Sequence, residues 1–375
     1  MESSLVQTDK QKEVSDYYGK QLQASSDLKT NACTIGKLDM TPSQKKYLAL
    51  VHDDIITKDY GCGTPFPEAL EGATVLDLGS GAGKDAYVMS GLVGENGRVI
   101  GIDMTDEQLD VARKHIEYHR ETYGYAKSNV EFHKGVIEDL RSSGIEDNSV
   151  DVVISNCVIN LVEDKTKVFQ EIWRVLKPGG ELYFSDVYSD RRVSKELQDD
   201  KVIWGECISG ALYVEDFRRA MEKIGFVDTR MVSGAVFELG NAEIRERCGD
   251  IKFYSVTTRS FKVEGLEDRG EDYGQTVTYR GSVRDHEKEI RFDNHLTFKA
   301  GEAVPVDRNT ALMLSKSRFS QHFEISPEGA HRGVLELTGT GCCSDIRQVT
   351  AKQASGSSSS GGSCCAPAPA KKSCC

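Results

Sequence analysis

The stretch Val75-Leu76-Asp77-Leu78-Gly79-Ser80-Gly81-Ala82-Gly83 constrains the fold more than any other in this chain. An apolar strand runs into alternate glycines, and such a turn carries the backbone into a helix while leaving it bare enough for a ligand to touch. The pattern then repeats. Residues 98–102 read as a second strand, and Thr105-Asp106-Glu107-Gln108 reads as a capping box opening a helix that ends near Tyr123. Residues 130–132 and 150–154 read as further strands. A helix with Val168, Phe169, Ile172, Val175 and Leu176 on one face is stopped by Lys177-Pro178-Gly179-Gly180, before a strand over 181–187. Strands alternating with helices across 70–187 predict an α/β fold with a doubly wound, mostly parallel sheet.

The flanking regions differ in character. Residues 1–69 are polar and partly helical, too poor in apolar residues for a core of their own, and read as an N-terminal cap. Residues 188–255 look mixed, with an amphipathic helix around Val214 to Ile224. Period-2 alternation over 275–279 and 290–298 predicts a β-rich region across 256–350. From Ala351 onward Ser, Gly, Ala and Pro dominate, a composition expected to form a flexible tail.

Acidic residues outnumber basic ones, 59 to 47, for a net charge of −12, which argues against a nucleic-acid partner. The first twenty residues lack an apolar leader, and no apolar run reaches the roughly 18 residues a membrane helix needs. A soluble cytoplasmic monomer is the expectation. Of 11 cysteines, six form adjacent pairs near the C-terminus, while Cys33, Cys62, Cys157, Cys207 and Cys248 stand singly, without the C-x2-C spacing of structural zinc.

Asp103 ends the second strand 20 positions after Gly83, where a ribose diol would be hydrogen-bonded. With the G-x-G-x-G turn and Leu176-Lys177-Pro178-Gly179-Gly180, residues 70–187 resemble the class I S-adenosylmethionine (SAM)-dependent methyltransferases, with their Rossmann-like sheet. The resemblance implies that Gly79, Gly81 and Gly83 line the amino-acid end of SAM and Asp103 its ribose. It places Met104 on one adenine face and Ile137 and Glu138 at the adenine edge, with Asp77 and Asn156 also in the cofactor site. Read without it, Met104 and Ile137 fit ordinary core equally well.

Ligands of open α/β sheets bind beyond the carboxyl ends of the strands, so Cys157, directly after the fourth strand, falls where a methyl acceptor belongs. A thiol is an odd general base but a good ligand for a soft, thiophilic acceptor. Cys62 in "YGCGTP" and Cys207 in "WGECISGAL" have similarly unusual, glycine-flanked surroundings, and three single thiols in one cleft would suit trivalent arsenic. With "DYYGKQL", "SNCVINL" and "EDYGQ", these segments resemble the arsenite SAM methyltransferases along nearly the whole chain.

That resemblance implies that Cys157 and Cys207 bind arsenic in a region spanning 188–255 and the strand end, that Cys62 completes a trithiolate site, and that Cys33 is its disulfide partner. Cys248 fits a structural thiol. The implied reaction is attack of the arsenic lone pair on the SAM methyl, followed by reduction through enzyme thiols that glutathione or thioredoxin regenerates. Such a reaction needs no dedicated base. Tyr60, Trp204 and Glu206 are candidates to shape the site or simply to pack. Two rivals remain open at this point: a methyltransferase of the same fold acting on another small molecule, and a non-enzymatic thiol-rich metalloid buffer.

Overall fold

The computed structural model describes residues 7–22, 24, 27, 40–61, 63–237 and 239–335. Cys33, Cys62, every cysteine from 342 onward and the predicted tail lie outside them. The strands are β1 (Thr74–Leu78), β2 (Arg98–Asp103), β3 (Val130–Lys134), β4 (Val150–Asn156), β5 (Leu176–Ser189), β6 (Leu212–Tyr213), β7 (Thr229–Phe237), β8 (Phe253–Phe261), β9 (Thr276–Tyr279), β10 (Glu289–Arg291), β11 (Thr297–Lys299), β12 (Ala303–Pro305) and β13 (Phe323–Ile325). Among the described residues, eight strands form one sheet in the order β3-β2-β1-β4-β5-β8-β7, with β6 beside β5. The first five are mutually parallel, whereas β8 runs antiparallel to β5 and β7 antiparallel to β8. Strand order reverses between β1 and β4, so the carboxyl ends of these two strands flank the switch point.

Both faces of the sheet are covered. Val75 and Leu76 point to opposite faces, as pleating requires, and both are fully buried. On one face Val75, Val99 and Ile154 pack with Tyr87, Val88 and Met89 of the helix Lys84–Val93. On the other, Leu76, Ile100 and Val153 meet Val168, Phe169 and Ile172 of the helix Lys165–Val175 and Phe217 and Met221 of the helix Val214–Ile224. The N-terminal region has no separate core among the described residues: Val51, Ile55, Phe66 and Leu70 join the first of these clusters.

Three sequence expectations change. The capping box at Thr105 does not form: Thr105 N–H donates to Asp103 Oδ1 at 2.8 Å, and Gln108 sends its Nε2 to Tyr18 O at 2.9 Å instead of back to the cap. The helix it opens is also not continuous, but divides at His115 into Asp106–Lys114 and Ile116–Tyr123. Residues 290–298 are a hairpin of β10 and β11, not one strand, because Asp293 Oδ1 accepts from the His295 and Leu296 amides and turns the chain. With the antiparallel trio β12-β9-β13, this hairpin surrounds a second core that includes Phe261, Tyr279, Phe292, Phe298, Phe319 and Phe323. No helix among the described residues is long and apolar enough to cross a membrane.

Candidate active site

At the carboxyl end of β1 the chain enters the left-handed region three times, at Gly79 (φ 69°), Gly81 (φ 53°) and Gly83 (φ 94°). A Cβ on Gly79 would stand 2.4 Å from Val158, and one on Gly83 2.8 Å from Phe132. A Cβ on Gly81 would meet nothing nearer than Gln108 Oε1 at 4.0 Å, because that position faces an open cleft. Asp103 closes one side of the cleft. Its Oδ2 accepts from Gly81 N at 2.9 Å and its Oδ1 from Thr105 N, so the carboxylate is aimed before any ligand arrives. Burial raises its pKa, and those backbone N–H groups hold it back. Asp77 lies deeper and is pushed well up by burial and by the neighbouring carboxylates Asp85 and Asp103.

Buried polar atoms on the cleft wall, among them Asp77 Oδ2, Ser80 Oγ and Gln108 Oε1, have no hydrogen-bond partner. Buried polar groups are seldom left unpaired, so this wall is built for a polar ligand, and its donors and acceptors fit the amino-acid and ribose ends of SAM. Tyr18, Tyr60 and Gly61 also line the cleft.

The residues expected around the cofactor separate into two groups. Asp77, Gly79, Gly81, Asp103, Asn156 and Cys157 all line the cleft. Gly83 is one step removed, at the helix start. Ile137 is instead packed in the core with Leu78, Ile102 and Leu140. Met104 and Glu138 are outside the lining, and Glu138 accepts from Gln11 Nε2 at 2.9 Å. Asn156 lines the cleft with its amide already committed: Oδ1 accepts from Gly63 N, while Nδ2 donates to Gly63 O at 3.0 Å and to Asp85 Oδ2 at 2.7 Å. It ties the loop around position 63 to the end of β4.

Beyond Asn156 the chain turns sharply at Cys157, whose φ is 60°. Cys207, after the helix Lys201–Gly205, has φ 62°. Left-handed backbone at a residue other than glycine costs about 1–3 kcal/mol and marks a place where the surroundings impose it. The two strained cysteines meet: Cys207 Sγ donates to Cys157 O at 3.1 Å. Both are nearly fully buried, in one apolar cluster that also contains Cys248. Cys207 and Cys248 are free thiols, whereas Cys157 is disulfide-bonded.

The N-terminal segment leans on this pair. The helix Asp9–Asp16 ends in a π-helical turn, Tyr17–Gln21, a deviation that tends to occur at functional sites. It presents Tyr17 OH to Glu206 at 2.6 Å and Tyr18 OH to Gly205 O at 2.7 Å, with Tyr18 OH 4.0 Å from Cys207 Sγ. Trp204 packs between Lys10 and Lys165 and donates to Leu161 O. Burial lowers Lys165 to about 8, against the pull of Asp186, and burial raises Asp186 to about 7. Sequence reasoning missed Tyr18 and Gln108. The motif "DYYGKQL" contained the first, but nothing in it says which way a tyrosine points.

A parallel sheet reversing at β1/β4, a glycine turn after β1 and a carboxylate ending β2 together define a class I SAM-dependent methyltransferase. Residues 69–225 match the family described as "Methyltransferase domain" and residues 273–375 the "Arsenite methyltransferase C-terminal domain". The arsenite methyltransferase of Aquipseudomonas alcaligenes is 48% identical over 329 residues, 88% of this chain and 94% of that protein. The arsenite methyltransferase of Homo sapiens is 45% identical over 344 residues, covering 92% and 90%. The crystal structure of an arsenic(III) SAM methyltransferase from Chlamydomonas reinhardtii superposes with a TM-score of 0.76 at 45% identity, covering 79% of this chain and all of that one. The chain belongs to the arsenite methyltransferase family.

Proposed function

We propose that this enzyme methylates arsenite to methylated arsenicals, holding trivalent arsenic on the thiolates of Cys157 and Cys207, with Cys62 as third ligand. The observation that carries the reading is the meeting of Cys157 and Cys207, both in left-handed backbone, at the wall of the cleft that ends β4. Strained backbone at two cysteines joined by a bond from the Cys207 thiol to the Cys157 carbonyl is hard to account for by packing alone.

SAM, when bound, supplies an electrophilic methyl group. The residues of the chain do the rest. Asp103 would accept from the ribose diol, Gly79 and Gly81 would let the backbone approach the amino-acid end, and Asp77 and Gln108 would offer polar atoms to the ligand. Tyr18, Tyr60, Val158 and Leu161 wall off solvent, so the thiolates meet the cofactor in a partly dry site. Trivalent arsenic carries its own lone pair, so no side chain has to remove a proton from the acceptor. Positioning is the main contribution.

Donation of that lone pair leaves arsenic oxidised by two electrons. Two enzyme thiols return them by forming a disulfide, assigned here to Cys33 and Cys62, and glutathione or thioredoxin reduces it. We further assign residues 1–69 as a cap, 70–187 as the cofactor domain, 188–255 as the arsenic-binding region, 256–350 as the β-rich domain and 351–375 as an accessory tail, in a cytoplasmic monomer.

The test is incubation of the purified, pre-reduced protein with methyl-labelled SAM, a dithiol and arsenite. Labelled methylarsenicals are expected. Their absence in a preparation that still binds SAM would overturn the reading.

A further inference from the structure

The segment 59–63 carries Cys62 between two glycines, and one chain of side chains begins and ends on it. Asp59 Oδ1 accepts from Gly61 N at 3.1 Å, and Asp59 Oδ2 accepts from Lys84 Nζ at 2.7 Å. Lys84 Nζ is also ion-paired with Asp85 Oδ1 at 3.2 Å. Asp85 Oδ2 accepts from Asn156 Nδ2, and the Asn156 amide closes the chain on Gly63 N and Gly63 O. We propose that Asp59, Lys84 and Asp85 are positioning residues for the methylation of arsenite: with Asn156 they fix the loop on both sides of Cys62 and so set where its thiol stands. The inference rests on the reading of Cys62 as third arsenic ligand.

The loop backbone is pressed onto the sheet with no slack. A Cβ on Gly61 would lie 2.3 Å from Asn156 Nδ2, and one on Gly63 would lie 2.5 Å from the Oγ of Ser185, the neighbour of Asn156 across β4 and β5. Glycine stands on both sides of Cys62 because no larger residue fits. The side chains of Lys84 and Asp85 are only 11% and 9% exposed, at the start of the helix that follows the glycine turn. Apolar contacts would hold a loop down at less desolvation cost than these buried charges. Short charge-assisted bonds add a fixed geometry. That matters most for a substrate that uses all three thiols. Arsenite has three oxygens to exchange for thiolates and methylarsenite has two, so a displaced Cys62 penalises arsenite selectively.

The test compares turnover of arsenite and of trivalent methylarsenite by the full, pre-reduced enzyme at saturating SAM. The ratio of the two rates cancels any effect on the cofactor or on the fold, which both substrates share. Asp59→Asn keeps an oxygen for Gly61 N but gives up the ion pair, and Lys84→Met breaks the chain from the other end. In each the ratio of arsenite to methylarsenite turnover is expected to fall at least about tenfold, since misplacing a reacting group by about 1 Å costs up to about a hundredfold. The double variant should fall no further than the worse single one. Asp59 is 28% exposed, so Asp59→Asn decides the matter if Lys84→Met does not fold. Cys62→Ser is measured alongside. A ratio that falls in Cys62→Ser but falls less than tenfold in Asp59→Asn, or losses that add in the double variant, would overturn the proposal alone. A ratio unmoved in Cys62→Ser would overturn the reading of Cys62 as a ligand, and the proposal with it.

Discussion

At two cysteines in left-handed backbone the fold is expected to tolerate a change of chemistry better than a change of shape, while activity is not. Cys207→Ser keeps the size and the donor to Cys157 O but loses the soft, ionisable ligand. We expect arsenite methylation to fall at least a hundredfold with SAM affinity changed less than threefold, read by label transfer and equilibrium dialysis. Asn156 yields a prediction that sequence alone did not suggest. Asn156→Asp removes both donors, to Gly63 O and Asp85, and sets a second carboxylate against Asp85 Oδ2. A loss of about 2 kcal/mol in stability and weaker SAM binding should follow, measured by urea unfolding and dialysis. The position of Cys157 could be read from the sequence because it follows an apolar run at a strand end. Its φ could not, since left-handed backbone is ordinarily the sign of glycine or asparagine, and neither stands there. The family resemblance places Asn156 in the cofactor site; it lines the cleft, and its amide is held by Gly63, 93 residues away, and by Asp85.

Periodicity alone yields most of the elements of the α/β domain, and what it misses is decided by tertiary partners. The helix after Thr105 shows this: a good capping sequence loses to Asp103, which needs the Thr105 amide, and to Tyr18 O, which needs Gln108. The glycine turn after β1 allows a sharper comparison. At Gly79 an added methyl clashes with Val158, whereas at Gly81 it enters the cleft at a cost of about 1 kcal/mol from φ alone. Gly79→Ala should therefore abolish folding or SAM binding, and Gly81→Ala should leave a folded protein whose SAM affinity falls at least tenfold, separated by thermal melting and dialysis. The turn between β4 and the following helix packs Lys165 and Asp186 against each other's field. Asp186, raised from 3.8 to about 7 by burial, holds a proton in the native state that the unfolded chain has released across about pH 4–7. Its contribution to stability is therefore present at the acid end and lost as pH rises through about 7, at up to about 1.4 kcal/mol per pH unit. Asp186→Asn should flatten that slope in urea midpoints measured from about pH 5 to 7.5.

At the scale of the whole molecule, the cofactor sheet and the C-terminal region are joined by buried charge as well as by apolar contact. Arg259 on β8 pairs with Glu181 on β5 at 2.6 Å and with Glu68 at 3.1 Å, and it donates to Phe292 O. Arg318 reaches Glu181 from the other side at 2.5 Å. Arg259 and Glu181 are both fully buried. Burial alone would raise the Glu181 pKa, yet the two arginines outweigh it and hold the carboxyl below its ordinary value. Nothing in the sequence announces this arrangement, because its members lie far apart along the chain and each looks like a surface charge. Removing one member is costly in a way that removing several is not. Glu181→Gln leaves two buried guanidinium groups with only Glu68 between them and should cost about 3–5 kcal/mol in denaturant unfolding. Replacing Glu68, Glu181, Arg259 and Arg318 together by apolar residues of similar volume should recover most of that loss, since the expense lies in an uncompensated buried charge and not in the absence of the ion pairs. If the quadruple variant is instead as unstable as Glu181→Gln, the charges contribute net attraction between the two regions, and the C-terminal region depends on them for its seat on the sheet.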